Sequence, residues 1–312
     1  MSIVSLPPYR VSALQVAAKS DGVDWGVSSY GIPSLWQRTE GEGVTIAVVD
    51  SGVAKHWALD ESVVDYRNFS DDSDLYDTLG HGTHVAGIIA ATRGNARGIA
   101  PRAKLHSLKV LGHSGMGSNS AVADAVEYAT GIKCDIISMS LGSSKPDERL
   151  HAAIQAAYTA GIIVVCAAGN DGGAVNFPAA FKETIGVGAV DKSGLACEFS
   201  SRGKEIVVAA PGSDITSTWL ANGYATISGT SMAAPFVAGV LALYIGEAKQ
   251  SNRLVTHATV IAALAETCRD AGTAGIDDVY GWGLIDPHKL LNYEIKASSA
   301  GVTIFIPNAK VL

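Results

Sequence analysis

Two kinds of apolar segment alternate along the chain. Short runs rich in Val, Ile and Ala predict buried strands at residues 44–49, 104–110, 135–139, 162–167, 185–190 and 206–209. Longer segments with apolar residues at helical spacing predict helices at residues 119–130, 148–160, 231–248 and 257–269. This alternation is typical of a parallel sheet covered on both faces. We therefore expect an α/β fold, a three-layer doubly wound domain with a mostly parallel central sheet.

The same pattern divides the chain into three parts. Residues 31–293 are expected to form one domain, residues 1–30 an N-terminal extension, and residues 294–312 a C-terminal tail with a strand-like run at 302–306. In doubly wound sheets, ligands bind outside the carboxyl ends of the strands. Polar residues directly after each strand are therefore the first candidates for a functional site.

Composition and charge argue against several kinds of partner. The 312 residues are 47% hydrophobic and 17% charged, which suits one large core. With a net charge of −7 and no block of Lys and Arg, a nucleic-acid partner is not expected. The longest apolar stretch, residues 233–246, contains Pro235 and is shorter than the roughly 20 residues of a membrane span. We expect no membrane anchor, and the first residues do not resemble a secretory signal.

The four cysteines are far apart and have no CxxC spacing. We interpret Cys134, Cys166, Cys197 and Cys268 as free thiols rather than as disulfides or metal ligands, because so long a chain does not need cross-links for stability. Free thiols and the lack of a signal predict a reducing, cytoplasmic location.

Three polar segments lie where this fold would place a site. Residues 47–52 end a predicted strand in Asp50, residues 80–87 set His81 between glycines, and residues 229–235 place Ser231 at the start of the longest apolar helix. A Ser hydroxyl is a weak nucleophile until an imidazole takes its proton, and a carboxylate fixes the tautomer of that imidazole. The three side chains can supply these roles, and the helix N-terminus beside Ser231 favours a developing oxyanion.

A fourth segment, residues 164–170, ends another predicted strand in Asn170, whose side-chain amide can donate a hydrogen bond to an oxyanion. Each residue alone also has an ordinary structural interpretation. Asp50 could cap a turn, Ser231 could cap a helix, and His84 could suggest zinc together with His81, although no third ligand is apparent. Only the joint order of the segments favours the catalytic interpretation.

At these segments the chain resembles the subtilisin-like serine protease family, in which Asp, His and Ser follow in this order. Further motifs extend the resemblance from about residue 41 to residue 291: Ser140-Leu141-Gly142, Phe177-Pro178-Ala179-Ala180, Phe199-Ser200-Ser201 and Ala210-Pro211-Gly212. The resemblance implies a serine endopeptidase that acts on proteins or peptides and needs no cofactor for its chemistry. Asp50, His81 and Ser231 would form its triad, Asn170 would be an oxyanion donor, and His84 would be structural.

Three rival functions can be compared with this one. An α/β esterase would need a Gly-x-Ser-x-Gly elbow, which the sequence lacks. A dinucleotide-binding domain would need G-x-G-x-x-G, and the match at residues 115–117 fails in the residues that follow. A binding protein of the same fold, whose triad never assembles, is the third alternative.

The resemblance also implies where substrate would bind. Residues 140–142 would pair with an extended peptide and residues 111–117 would form the opposite rim, with an open apolar pocket beside Asn119. Asp171 and Asn176 are expected near the pocket for the residue at the cut. The expected substrate contacts are Leu111, Gly112, Gly115, Gly117, Val122, Ser140, Leu141, Gly142, Ala168, Gly169 and Thr230.

A carboxylate-rich loop contains Asp71, Asp72, Asp74 and Asp77. We favour a solvated acidic loop, with a structural calcium site as the alternative.

The element Leu6-Pro7-Pro8-Tyr9 resembles one found in the bacterial intracellular subtilisins, as do residues 134–142 and 164–170. In those enzymes the N-terminal extension lies across the substrate groove, and a proline bend keeps its peptide bond away from the nucleophile. The resemblance therefore predicts an inhibitory segment and raises the expectation of a homodimer. The alternative is a disordered leader that contains proline.

Overall fold

A seven-stranded parallel sheet forms the centre of the protein, in a computed structural model that describes residues 3–15 and 22–293. The strands are β3 (Thr45–Asp50), β4 (Val63–Asn68), β5 (Lys104–Lys109), β7 (Ile136–Met139), β8 (Ile163–Ala167), β9 (Thr184–Val190) and β10 (Ile206–Pro211). Their order across the sheet is β10-β9-β8-β7-β3-β5-β4. Six of them confirm predicted strands to within about two residues.

The strand that the sequence pattern missed is β4, which lies at the edge of the sheet. Only its first residue, Val63, is buried, and the other five are partly or fully exposed. An edge strand with so little buried surface lacks the apolar run that indicates a strand in sequence.

Helices cover both faces of the sheet, as predicted. Alternate strand residues point to opposite faces, so Ile46 and Val48 pack into one core and Ala47 and Val49 into the other. The first core includes α3 (His81–Ala90), α6 (Thr230–Gln250) and α7 (His257–Thr267), and the second includes α4 (Asn119–Gly131) and α5 (Glu148–Thr159). The described residues also form three short α-helices: α1 (Trp25–Ser29), α2 (Ile32–Leu35) and α8 (Pro287–Leu291).

The longest helix, α6, is apolar around its whole circumference. In the described part of the chain it alone is long and apolar enough to span a membrane, but 94% of its most apolar stretch is buried inside the protein. It packs against strands β7 to β10, and this burial explains its composition.

Two small antiparallel sheets involve the N-terminal residues. Strand β1 (Ile3–Ser5) pairs with β6 (Met116–Ser118), and β2 (Arg10–Gln15) pairs with β12 (Tyr224–Ser228), which also pairs with β11 (Ile215–Thr218). The predicted strand at 302–306 and the rest of the tail lie outside the described residues. All four cysteines are free, as predicted.

Candidate active site

The central sheet brings the candidate residues together at its carboxyl edge. Asp50 is the last residue of β3, His81 is the first residue of α3, and Ser231 is the second residue of α6. Asn170 follows the end of β8. Two strand ends and two helix starts therefore meet at the edge where doubly wound sheets bind ligands.

Asp50 and His81 form a buried pair. The imidazole Nδ1 lies 2.8 Å from Asp50 Oδ1, and both side chains are at most 1% exposed. The Ser51 backbone N–H also donates to Asp50 Oδ1, over 2.7 Å. In the described part of the chain, His81 Nε2 has no hydrogen-bond partner. A proton on Nδ1 is favoured by the carboxylate, and this leaves Nε2 with a free lone pair for accepting a proton.

A second buried carboxylate, Asp77, stabilises the residues that surround this pair. It accepts five hydrogen bonds, from the Ser51 hydroxyl, the Leu79, Gly80 and Thr83 N–H groups and the Thr83 hydroxyl. Gly80 precedes α3 with a φ of 95° and offers no side-chain cap, so Asp77 satisfies the free N–H groups at the start of this helix. Asp77 therefore helps to fix the position of His81.

Ser231 is fully buried. Its Oγ donates weakly to the Ser140 carbonyl over 3.4 Å, and Ser140 Oγ donates to the Ser231 carbonyl over 3.0 Å. These two contacts join the start of α6 to the residue after β7. Nucleophile–base hydrogen bonds are often long or poorly aligned until substrate is bound, and they tighten in the reacting complex.

The Asn170 amide is oriented by Thr230. Its Oδ1 accepts from the Thr230 N–H at 2.8 Å and from the Thr230 hydroxyl at 2.7 Å. The Thr230 hydroxyl also accepts from the Gly169 N–H at 3.1 Å. Because Oδ1 is held in this way, Nδ2 faces the groove as a donor.

The two predicted rims of the substrate groove lie on either side of residues 3–6. Val4 pairs with Gly117 in the β1–β6 ladder, and the Leu6 N–H donates to the Gly115 carbonyl at 3.0 Å. On the other side, Ser5 exchanges two main-chain hydrogen bonds with Gly142, of 3.0 and 2.9 Å. The N-terminal segment thus lies between the two rims, paired as a strand with one and bridged to the other at Ser5.

The predicted apolar pocket is occupied by Val4 of the N-terminal segment. Val4 is completely buried in the same apolar cluster as Leu111, Val122 and Leu141. Asn119, expected at an open pocket edge, is 2% exposed and its amide has no hydrogen-bond partner among the described residues.

The remaining predicted substrate contacts lie at these same edges. Gly112 closes the rim loop by donating to the Met116 carbonyl, and the Ala168 carbonyl accepts from the Asn176 N–H. Asp171 is exposed, and its carboxylate accepts from the Gly173 N–H and the Ser201 hydroxyl, which lowers its pKa.

The N-terminal segment reaches the centre of the site at Pro8 and Tyr9. Asn170 Nδ2 donates to the Pro8 carbonyl over 2.8 Å. The Tyr9 ring lies against the His81 ring, with 5.1 Å between their centroids. Burial, together with the charges of Asp50 and Asp77, raises the pKa of Tyr9, so its phenol stays neutral. Both the amide donor and the imidazole are therefore covered.

The acidic loop does not bring its four aspartates together. Asp72 and Asp74 lie with His113 in one group, Asp71 is exposed, and Asp77 is buried beside α3. The buried ammonium of Lys109 lies 3.3 Å from Asp72 Oδ2. Calcium takes six to eight oxygen ligands, whereas this group offers two carboxylates, an imidazole and an adjacent cation. This group therefore fits calcium poorly.

His84 has a structural role, as the resemblance implied. Its Nε2 donates to the carbonyls of Ile215 and Ala225, at 3.1 and 3.0 Å, and so ties α3 to β11 and β12. Burial lowers the pKa of His84 to about 3, which keeps the ring neutral.

Sequence reasoning missed the roles of Asp77 and Lys109. Lys109 Nζ donates to the carbonyls of Ser51 and Leu111, so it links the strand end beside Asp50 to the groove rim. A carboxylate four residues before a helix whose N-cap is glycine was an available signal for Asp77. A lysine that ends an apolar strand was the signal for Lys109, because lysine is rarely buried without partners.

Several known proteins are similar to this chain in amino-acid sequence. The model of the family described as the subtilase family matches residues 41–283. An intracellular serine protease of Paenibacillus polymyxa is 41% identical over 254 residues, which cover 77% of this chain and 77% of that protein. Thermitase of Thermoactinomyces vulgaris is 38% identical over 275 residues, 86% of this chain and 96% of that protein. Subtilisin Savinase of Lederbergia lenta is 36% identical over 272 residues, with shares of 86% and 98%. The chain therefore belongs to the subtilase family and is a subtilisin-like serine protease.

Proposed function

We propose that this protease is an endopeptidase in which Ser231 attacks the peptide carbonyl, His81 transfers the proton and Asp50 orients the imidazole. The observation that carries the proposal is the buried pair of Asp50 and His81, whose Nε2 is left free to accept a proton. Loss of the Ser231 proton to Nε2 generates the nucleophile, and the same proton then passes to the leaving amine. Water completes the cycle by hydrolysing the acyl-enzyme.

The oxyanion would be stabilised by Asn170 and by the start of α6. Asn170 Nδ2 already donates to a peptide carbonyl, that of Pro8, so its reach and direction suit this role. The helix N-terminus adds a main-chain N–H and the positive end of the helix dipole. The hydrogen bonds from these donors become stronger as the carbonyl oxygen gains negative charge.

We further propose that residues 3–15 restrain the enzyme by occupying its own substrate groove. The segment pairs with both rims, buries Val4 in the apolar pocket and presents a carbonyl to Asn170. Pro7 and Pro8 have no N–H and a fixed φ, so they hold the backbone next to Ser231 out of line for attack. The Ser231 hydroxyl is directed to Ser140 in this state, consistent with an unproductive complex.

Deletion of residues 1 to about 20 tests the restraint. Activity on a small peptide substrate should rise by well over an order of magnitude, because a tethered competitor acts at millimolar effective concentration. The same deletion carrying Ser231→Ala is the matched control and should be inactive. Equal activity of the full-length and trimmed proteins would refute the proposed restraint and leave the protease assignment intact.

We propose a cytoplasmic location, with proteins or peptides as substrates and neither nucleic acid nor membrane as a partner. The four free thiols and the similarity to an intracellular serine protease support the location, and the net charge of −7 supports the exclusion of nucleic acid. A homodimer is proposed from the resemblance to intracellular subtilisins. Sedimentation equilibrium of the full-length protein distinguishes a dimer from a monomer, and fractionation of the producing cells tests the location.

A further inference from the structure

A buried lysine lies beside the end of β3, and the proposed chemistry does not use it. Lys109 is 1% exposed and ends β5, where it is in parallel register with Asp50. Its ammonium lies 3.1 Å from the Ser51 carbonyl, 3.0 Å from the Leu111 carbonyl and 3.3 Å from Asp72 Oδ2. These three oxygens match the three N–H donors of an ammonium.

The ion pair with Asp72 does not by itself explain why a lysine stands here. The Asp72 side chain is 8% exposed, and the Asp74 N–H and the charge of Lys109 lower the pKa of its carboxyl. Taking two charges out of water opposes folding, and a buried ion pair can often be replaced by apolar residues without loss of stability. The two carbonyl contacts are therefore the feature that requires an ammonium at this position.

Ser51 connects the ammonium to the carboxylate of Asp50. Its N–H donates to Asp50 Oδ1 over 2.7 Å, while its carbonyl accepts from Lys109. In the described part of the chain, Asp50 Oδ2 has no hydrogen-bond partner. Among the described residues, the carboxylate is therefore oriented by the Ser51 N–H and by His81. A rotation of Ser51 would turn the carboxylate away from the imidazole.

The next residue makes this turn dependent on its neighbours. Gly52 has a φ of 95°, and a Cβ there would lie 3.4 Å from Cβ and Cδ of Lys109. Glycine adopts this φ readily, but it has no side chain that could hold the backbone in place. The Lys109 stem lies against Gly52 and its ammonium holds the Ser51 carbonyl, so the lysine fixes the turn that follows Asp50.

The second carbonyl contact joins the same ammonium to the groove rim. The Val110 and Leu111 N–H groups donate to the Asp50 carbonyl, over 2.8 and 3.2 Å. The Leu111 carbonyl in turn accepts from Lys109, and Leu111 begins the rim at residues 111–117. The ammonium thus closes a ring of contacts between the end of β3 and the start of the rim.

We propose that Lys109 is a positioning residue for peptide hydrolysis. By holding the Ser51 and Leu111 carbonyls, its ammonium fixes the carboxylate of Asp50 toward the imidazole. Lys109 acts through these neighbours and not on the substrate. A misplacement of about 1 Å can cost about a hundredfold in rate, so loss of the ammonium should lower kcat much more than it changes KM. This inference rests on the proposed triad.

Two variants of the full-length protein with Val4→Asp test this role. Asp72→Asn removes the ion pair but leaves the carbonyl contacts, so kcat should stay within about threefold. Lys109→Met combined with Asp72→Asn removes the ammonium without leaving a buried carboxylate unpaired. This double variant should lower kcat about tenfold to a hundredfold, with less than about a threefold change in KM.

The measurement separates positioning from loss of folded protein. Rates are expressed per active site, counted by fluorophosphonate labelling at saturation, and thermal unfolding is measured for each variant. Because only folded molecules are labelled, the comparison holds even if part of the double variant fails to fold. A kcat per site equal to that of Asp72→Asn would show that Lys109 only balances a charge, and would overturn the positioning role.

A small ester separates positioning from the shape of the rim. p-Nitrophenyl acetate has no residues that reach the rim, so the double variant should hydrolyse it with about as large a loss of rate as it shows on a peptide. A loss confined to the peptide would show that Lys109 shapes the rim alone, and would overturn the positioning role.

Ser231→Ala in the same background keeps this test distinct from that of the proposed function. An active Ser231→Ala variant would refute the proposed nucleophile, and the inference about Lys109 with it. An inactive Ser231→Ala variant, together with an undiminished kcat in the double variant, would refute the positioning role alone.

Discussion

The groups beneath the groove and the segment that covers it are held in different ways. Asp50 and His81 are at most 1% exposed, and their positions follow from the end of one strand and the start of one helix. In the segment, Val4 is buried, but Ile3 and Leu14 are 61% and 68% exposed. The first region is fixed by the fold itself, whereas the second depends on a short set of apolar contacts, with Val4 the most buried, and on main-chain bonds. Mutations should therefore separate chemistry from restraint.

The largest effect is expected for the nucleophile. In protein lacking the extension, Ser231→Ala should lower kcat about a millionfold, a loss already known for a subtilisin nucleophile. The unfolding temperature should change little, because the substitution removes only one oxygen with a weak 3.4 Å contact. Peptide hydrolysis and thermal unfolding measure the two properties, and retained turnover in a folded variant would refute the mechanism.

The next effect belongs to the oxyanion donor. Asn170→Ala should lower kcat about a hundredfold to a thousandfold, the loss known for such a donor in a subtilisin, with much less change in KM. The reason is that the donor acts mainly on charge that develops in the transition state. Steady-state kinetics on one peptide measure kcat and KM separately. An unchanged kcat with a raised KM would assign Asn170 to ground-state binding.

A smaller effect, of opposite sign, is expected at the apolar anchor. Val4→Asp in the full-length protein should raise peptide hydrolysis about tenfold or more. A carboxylate in this apolar pocket would be buried without a partner, so the extension should leave the groove instead. Initial rates of the variant and the unmodified protein provide the comparison. If the two rates are equal, burial of Val4 does not hold the extension in place.

The smallest effect is expected for the matched substitution on the exposed half. Leu14→Asp introduces the same charge at a residue that is 68% exposed, so hydrolysis by the full-length protein should change less than about twofold. The same assay measures it. A gain as large as that of Val4→Asp would show that β2 is held by its side chains and not mainly by its main chain.

Much of the fold could be predicted from the sequence because buried strands and helices have different apolar periods. Strand β4 could not be, since all but one of its residues are partly or fully exposed. The two N-terminal strands depend on partners more than a hundred residues away in sequence, in β6 and β12. A local pattern carries no information about such pairings.

The candidate site shows a similar division. Asp50 and Asn170 could be found because each ends a recognisable strand segment, and Ser231 because it opens a recognisable helix. His81 could be found because glycines flank it. Asp77 was grouped with nearby aspartates, since sequence alone does not show that its oxygens accept hydrogen bonds from Ser51 and Thr83. Proximity in sequence therefore did not predict which of these carboxylates lie together in the structure.

Labelling by a fluorophosphonate probe tests most directly whether the fold assembles the nucleophile and the extension covers it. The account predicts that the probe modifies Ser231, identified by peptide mass, and that removal of residues 1 to about 20 accelerates labelling at least tenfold. Labelling that is absent after trimming, or that occurs at another residue, would contradict the account. So would labelling of Ser231 at the same rate with and without the extension.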